Sequence, residues 1–433
     1  MNPFPHPRVR RQLLAGVVAL SAWAAAAPAV AQASPTFWRD SWMASPQPLW
    51  SSDFVLPLGT PTQFERQTLR QVARLSVGGA RLRVVLSNEE GQAPLVIGGA
   101  RIARHAEGSS VVAGSDRVLR FGGQAEVHVP PGARVVSDPV DLALPALARV
   151  AVSIYLPRAT APAGFHFDAR QTAYLASGDQ TAARSLARDT TSLSTRAFLA
   201  GVMVDGAQPP VTVVALGDSI TDGNGATPDA DTRWPDALAE RLAPRGVAVL
   251  NAGISGARLL RDGMGRSALA RIGRDVFSRP GVRTVIVLLG TNDIGWPGGP
   301  FAPHEAAMRL DDFTQGYRAL AELARAHNVR LIAATLPPFE RALEGTPLEG
   351  HHSPEKERLR QAVNRWIRES AGFDAVVDMD RVLRDPARPS RLNPAYDSGD
   401  HLHPNDAGYR AMAAALELET LLPPPKPQSP TAS

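Results

Sequence analysis

The chain has 433 residues, 44% of them hydrophobic and 20% charged, a formal charge of +4 and no cysteine. That composition belongs to a folded globular protein with room for two domains and excludes a disordered or fibrous one. Without thiols there can be no disulfide, thiolate metal site or cysteine nucleophile, so any nucleophile is oxygen or nitrogen.

The N-terminus reads as an export signal. Arg8, Arg10 and Arg11 precede an apolar run from Leu13 to Ala27, and Ala29-Val30-Ala31 supplies a small-residue cleavage pattern. The run is short for a membrane span, so residues 1–31 are expected to be a signal peptide and the mature protein to be secreted or periplasmic, with no stable membrane insertion. Arg10-Arg11 also admits a twin-arginine route. Removing this segment takes three arginines and no acid from the charge of +4, which leaves +1. The remaining basic residues are interleaved with acids, as from Arg381 to Asp385, so no nucleic-acid partner is expected.

Residues 35–206 show a period of two. Arg74 to Val77 and Leu82 to Leu86, separated by Gly78-Gly79, read as a hairpin with a glycine turn. Further runs lie at Val127 to Val129, Val135 to Leu142, Val150 to Leu156 and Ala197 to Val204. Short alternating strands between turn signals predict an antiparallel β-sandwich of jelly-roll type. Pro209-Pro210 makes a stiff connector, and a domain boundary is expected there.

Residues 211–421 alternate strand and helix. Near-continuous apolar runs at Val211 to Leu216, Val247 to Leu250, Thr284 to Leu289, Arg330 to Leu336 and Ala375 to Met379 suit strands covered on both faces. Helices are expected at Trp234 to Leu242, Ala268 to Phe277, Pro303 to His327, Pro354 to Glu369 and Pro404 to about Leu421. The pattern predicts an α/β domain: a parallel sheet in a three-layer α/β/α arrangement, with its ligand crevice at the carboxyl ends of the strands. Residues 422–433 form a polar, proline-rich tail expected to be unstructured.

The chemistry-bearing residues fall where those strands end. The first run empties into Gly217-Asp218-Ser219, the second into Asn251-Ala252-Gly253, the third into Gly290-Thr291-Asn292-Asp293, and a fourth cluster, Asp397 to Pro404, precedes the last helix. If they share one crevice, they supply a hydroxyl, a glycine amide, a carboxamide, and an imidazole with a carboxylate. Ser219 would be the nucleophile and His403 its base, oriented by Asp400 three residues earlier. The amides of Ser219 and Gly253 and the side chain of Asn292 are the candidate oxyanion donors. His401 competes with His403, and would draw its carboxylate from Asp397. Capping roles for Ser219, Asn292 and Asp293, a turn at Asp222, core packing for Trp234 and a solvated loop at His351-His352 are the plain alternatives. Gly263 to Ala268 has a superficial dinucleotide-fingerprint spacing, but no strand precedes it.

The ordered blocks Gly217-Asp-Ser-Ile, Asn251-Ala-Gly253, Gly290-Thr-Asn292-Asp and Asp400-His-Leu-His403 resemble those of the SGNH or GDSL hydrolase superfamily. The resemblance implies serine esterase or lipase chemistry without a cofactor or metal. It puts Ser219, Gly253, Asn292 and His403 at the signature positions with Asp400 as acid, which favours His403 over His401. A β-rich domain ahead of such a domain is also the layout of exported carbohydrate esterases, which implies a small ester or an acetylated glycan as substrate. A lysophospholipase or longer-chain lipase is the nearest alternative. A metal-dependent phosphoesterase using Asp218, Asp222, Asn292, Asp293, Asp400, His401 and His403 is a rival of another class, as is a glycan-binding protein without catalysis.

Overall fold

A computed structural model describes residues 36–162 and 164–422. The expected signal peptide and the tail beyond Leu422 lie outside the described residues.

The antiparallel half, Phe37 to Gly206, stacks two sheets. One runs in the order Phe37–Met43, Leu199–Gly206, Gly79–Ser87, Arg134–Val136, with Val140–Leu144 also paired to Gly79–Ser87. The other contains Gln67–Arg74 between Ala173–Ser177 and Arg149–Leu156, extended by Gly99–Arg104. Alternation fills the space between them: Leu82, Val84 and Leu86 from one sheet join Val150, Val152 and Ile154 from the other in one core.

The expected hairpin at Gly78-Gly79 does not form. Gln67–Arg74 pairs with Arg149–Leu156 and Ala173–Ser177, whereas Gly79–Ser87 pairs with Leu199–Gly206 in the opposite sheet. The chain from Leu75 to Gly78 therefore crosses between sheets. Leu75 and Val77 are buried in doing so, and Ser76 N–H donates to Ser41 O. A Cβ on Gly78 would lie 2.4 Å from Leu144 O, so the glycine serves close backbone approach rather than a turn.

In the second half five parallel strands lie in the order Ala248–Gly253, Thr212–Gly217, Val282–Leu288, Arg330–Ala334, Ala375–Val377. Val213 to Leu216 and Val285 to Leu288 are buried without a break, as a sheet covered on both faces requires. The helices are α1 (Ser219–Asp222), α2 (Trp234–Leu242), α3 (Ala268–Ile272), α4 (Thr291–Gly295), α5 (Leu310–Ala326), α6 (Pro354–Glu369), α7 (Met379–Leu383), α8 (Asp406–Ala414) and α9 (Leu418–Leu421). Helix α8 packs against α2 and α7, and α5 against α3 and α6, in keeping with the α/β/α layering.

Three expected helices are shorter than their patterns. The one expected from Pro303 begins at Leu310, where Asp312 Oδ2 accepts the Arg309 N–H at 2.7 Å; the residues before it are tied elsewhere, Pro297 bridging Ala302 and Glu305 accepting from Arg258 at 2.6 Å. Ala268 to Phe277 changes from α to π winding at Gly273. The last helix begins at Asp406 and breaks between Ala414 and Leu418.

The two halves meet over a broad face and, from Thr36 on, form one compact unit. Met43 enters the core of the parallel half and Ala248 that of the sandwich. Arg149 donates to Asp231 at 2.5 Å and to Asp229 O at 2.8 Å, and Arg39 to Gly246 O at 3.3 Å. Among the described residues no helix is long and apolar enough to cross a membrane.

Candidate active site

The strand Thr212–Gly217 delivers Ser219 as the first residue of α1. Asp218 caps that helix, its Oδ1 accepting the Ile220 N–H at 3.0 Å. Gly217 allows the tight turn, since a Cβ there would lie 2.9 Å from Leu288 O and closer still to Thr221. As the leading residue of a helix, Ser219 has an amide without an intrahelical acceptor.

The loop before α8 comes to the same point. His403 Nε2 lies 2.8 Å from Ser219 Oγ, and His403 Nδ1 lies 2.6 Å from Asp400 Oδ2. An ionised carboxylate only accepts, so Nδ1 carries the proton and Nε2, in the neutral ring, accepts from the serine O–H. Asp400 Oδ1 in turn accepts the amides of Leu402 at 2.9 Å and His403 at 2.8 Å. Burial works to raise the Asp400 pKa, but the hydrogen bond and charge of His403, with these amides, outweigh it and hold the carboxyl well below its ordinary range. Ser219 and His403 are 8% and 7% exposed, so the pair is sheltered yet reachable.

His401 is drawn away. Its Nδ1 lies 2.5 Å from Asp397 Oδ2, making a second His–Asp pair that has no contact with Ser219, on a backbone with φ of +61°. Gly399, at φ +106°, lets the loop reverse between the two aspartates.

The remaining expected residues sit on neighbouring strand ends. Gly253 pairs with Gly217 in the sheet, and a Cβ on it would lie 2.3 Å from Asp222 N. Its amide donates to Asn251 Oδ1 at 2.8 Å, and Asn251 Nδ2 donates to Thr221 O at 2.8 Å. Asn292 is the second residue of α4 and is buried; one of its two amide hydrogens goes to Ala257 O at 3.1 Å. Asp293 is structural: both carboxylate oxygens accept the Leu259 N–H, at 3.0 and 2.9 Å, and burial raises its pKa to about 6 against that bond. Burial likewise pushes Asp218 up to about 7.

Trp234 is a core residue. The expectation that His351 and His352 are solvated is corrected for His351, which is 3% exposed, packs edge-on to Phe339 and fills the place of a side chain on Gly295. Burial, with Lys356 nearby, lowers its pKa to about 3, so it is neutral. Gly263 to Ala268 works as a docking loop: Met264 O accepts from Gln47 at 2.9 Å and Trp50 at 2.8 Å. Among the described residues no group of three His, Cys, Asp or Glu is placed to hold a metal ion.

Two features had no sequence signal. Arg271 is fully buried under the strand ends, its Nη1 donating to Ala252 O at 2.6 Å and Asp275 Oδ2 at 2.9 Å, its Nη2 to Gly217 O at 2.9 Å. Asp222, read as a turn former, instead accepts from Ser255 and from His166 of the antiparallel half.

Residues 215–411 match the model of the GDSL-like Lipase/Acylhydrolase family. This segment belongs to that family. The GDSL-like domain thus makes the protein a carboxylic ester hydrolase. No curated protein matches the chain. Among solved structures, a GDSL-like lipase from Bacteroides thetaiotaomicron is 24% identical, covering 49% of this chain and 91% of its own at a TM-score of 0.36. An acetyl xylan esterase is 20% identical, covering 47% and 97% at 0.34. A carbohydrate acetylesterase from Sinorhizobium meliloti is 16% identical, covering 47% and 95% at 0.37. All three likenesses extend over about half of this chain.

Proposed function

We propose that this protein is an exported serine esterase that hydrolyses short-chain acyl esters through an acyl-enzyme on Ser219. The observation that carries the reading is the hydrogen-bonded series from Ser219 Oγ through His403 to Asp400. His403 Nε2 takes the hydroxyl proton as Oγ bonds to the ester carbonyl carbon, and the imidazolium so formed is balanced by Asp400. The Ser219 amide and the free Asn292 amide hydrogen stabilise the oxyanion, and the Gly253 amide joins them by sharing the hydrogen it gives Asn251. Collapse breaks the bond to the leaving alcohol, which takes the proton from His403. Water, deprotonated by the same nitrogen, then releases the acid and frees Ser219.

The β-rich half ahead of the esterase half supports O-acetyl groups on carbohydrate as the favoured substrate, and the N-terminal signal pattern supports action outside the cytoplasm. With p-nitrophenyl acetate, Ser219→Ala is expected to lower kcat by on the order of 10⁴-fold or more with the fold intact by circular dichroism. Retained turnover in that variant rejects the mechanism. An acyl series from acetyl to decanoyl is expected to peak at the short end; a maximum on the longest esters would instead favour a lipase.

A further inference from the structure

The nucleophile's helix is held from outside its own half of the molecule. Helix α1 is one turn long, and an isolated turn has almost no stability of its own. Its first residue is Ser219 and its last is Asp222, 2% exposed. Asp222 Oδ2 accepts from Ser255 N at 3.0 Å and Ser255 Oγ at 2.9 Å, and Asp222 Oδ1 lies 2.8 Å from Nε2 of His166. His166 belongs to the short strand Phe165–His166 of the antiparallel half, and its Nδ1 lies 3.0 Å from Ser45 O. A carbonyl can only accept, so Nδ1 is protonated. The second nitrogen therefore faces a carboxyl group across a single proton, in a site where His166 is 7% exposed. That is a charge-assisted contact in a dry environment, the kind that holds geometry firmly.

The surrounding chain is shaped to bring His166 there. Gly164 has φ of +136°, and Asp168 and Arg170, both non-glycine, have φ of +48° and +50°. Phe167 N–H is pinned by Gln47 Oε1 at 2.8 Å. Arg170 donates to Ala226 O in the loop after α1, and Thr172 N–H and Oγ1 both donate to Asp229, each at 2.6 Å. Non-glycine residues in left-handed conformation cost free energy that the contacts around them must offset. Two of them within three residues, beside the nucleophile's helix, mark a segment built to meet that helix.

We propose that His166 is a positioning residue for Ser219: by hydrogen-bonding Asp222 it sets the orientation of α1, so that the antiparallel half is part of the esterase machinery and not an appended module. The inference rests on Ser219 being the nucleophile. A misplacement of about 1 Å at a reacting group can cost on the order of a hundredfold in rate. Loss of the His166 contact acts on kcat rather than on substrate binding.

The test uses the full chain, with active sites counted by stoichiometric fluorophosphonate labelling so that rates are per competent molecule. His166→Leu, which removes the donor to Asp222, is expected to lower kcat on p-nitrophenyl acetate by about 10- to 100-fold with KM within about twofold. His166→Gln, which can place an N–H near the Nε2 position, is expected to recover most of that loss. Ser255→Ala, which removes one donor from the other side of Asp222 without touching the sandwich, is expected to lower kcat in the same sense and decides the matter if His166→Leu does not fold. Per-site kcat within twofold of wild type in His166→Leu, or in Ser255→Ala where that is the deciding variant, overturns the proposal. So does a His166→Gln variant no faster than His166→Leu. Ser219→Ala run alongside separates the two readings: full activity there removes the nucleophile itself, whereas its loss beside an unchanged His166→Leu removes only the positioning role.

Discussion

Asp218 shows how a buried capping carboxyl can make stability depend on pH. In the unfolded chain it would release its proton near pH 4, whereas burial holds the native pKa at about 7. Between those values the folded state binds a proton that the unfolded state has lost, so this group's contribution to stability falls as pH rises across the window. Asp218→Asn keeps an acceptor for the Ile220 amide and removes the titration. Thermal melts at pH 5 and pH 8 should therefore show a smaller loss of Tm with pH in the variant than in wild type, and parallel curves would contradict the assignment. Single residues were unequally legible. Ser219, Asn292 and His403 stand out because polar groups interrupt apolar runs or precede a helix, and four such places in order are informative together. The partner of Asp222 could not be read in that way: His166 is 56 residues distant, on a strand of the antiparallel half, with no spacing to join them.

The loop from Asn393 to Asn405 and the start of α8 act as one element that carries both Asp400 and His403. Asn405 Oδ1 accepts the amides of Ala407 at 2.9 Å and Gly408 at 3.0 Å, while its Nδ2 donates to Ala395 O and Asp397 O, each at 3.1 Å. Asn405→Ala removes the cap and both loop contacts together. It is expected to cost about 1–2 kcal/mol in urea unfolding and to lower kcat as well, because His403 sits two residues away. Destabilisation with full turnover would detach the cap from the site. Elements generally were readable in kind but not in partner or limit. The alternation in Leu82 to Leu86 is the same whether the neighbour is a hairpin arm or a strand from the far end of the antiparallel half, so periodicity gave the strands and missed the crossover. The apolar pattern before α5 continued past the real start because Met308 is buried from a loop.

At the scale of the whole molecule, the described residues behave as one body. Met43 and Ala248 each belong to the other half's core, and Arg149, Arg39 and Thr172 cross the junction by hydrogen bonds. Neither half can unfold without exposing apolar surface on the other. Scanning calorimetry is therefore expected to give a single endotherm with van't Hoff and calorimetric enthalpies equal within error; two resolved transitions would refute the coupling. The change of strand grammar at Pro209-Pro210 was visible in the sequence, but the closeness of the halves was not, since it depends on side chains scattered along both. One buried residue has a bearing on the reaction as well as on packing. The carbonyl oxygens of Gly217 and Ala252 lie on the strand ends beside the proposed oxyanion, where their negative partial charges would oppose it. The two arms of Arg271 take up both. A lysine there would bring a point charge but no planar fork to span the pair. In the proposed reaction the guanidinium would act as an electrical screen beneath the reacting centre, leaving the amide hydrogens of the site to meet the anion without a competing field from the sheet that presents them.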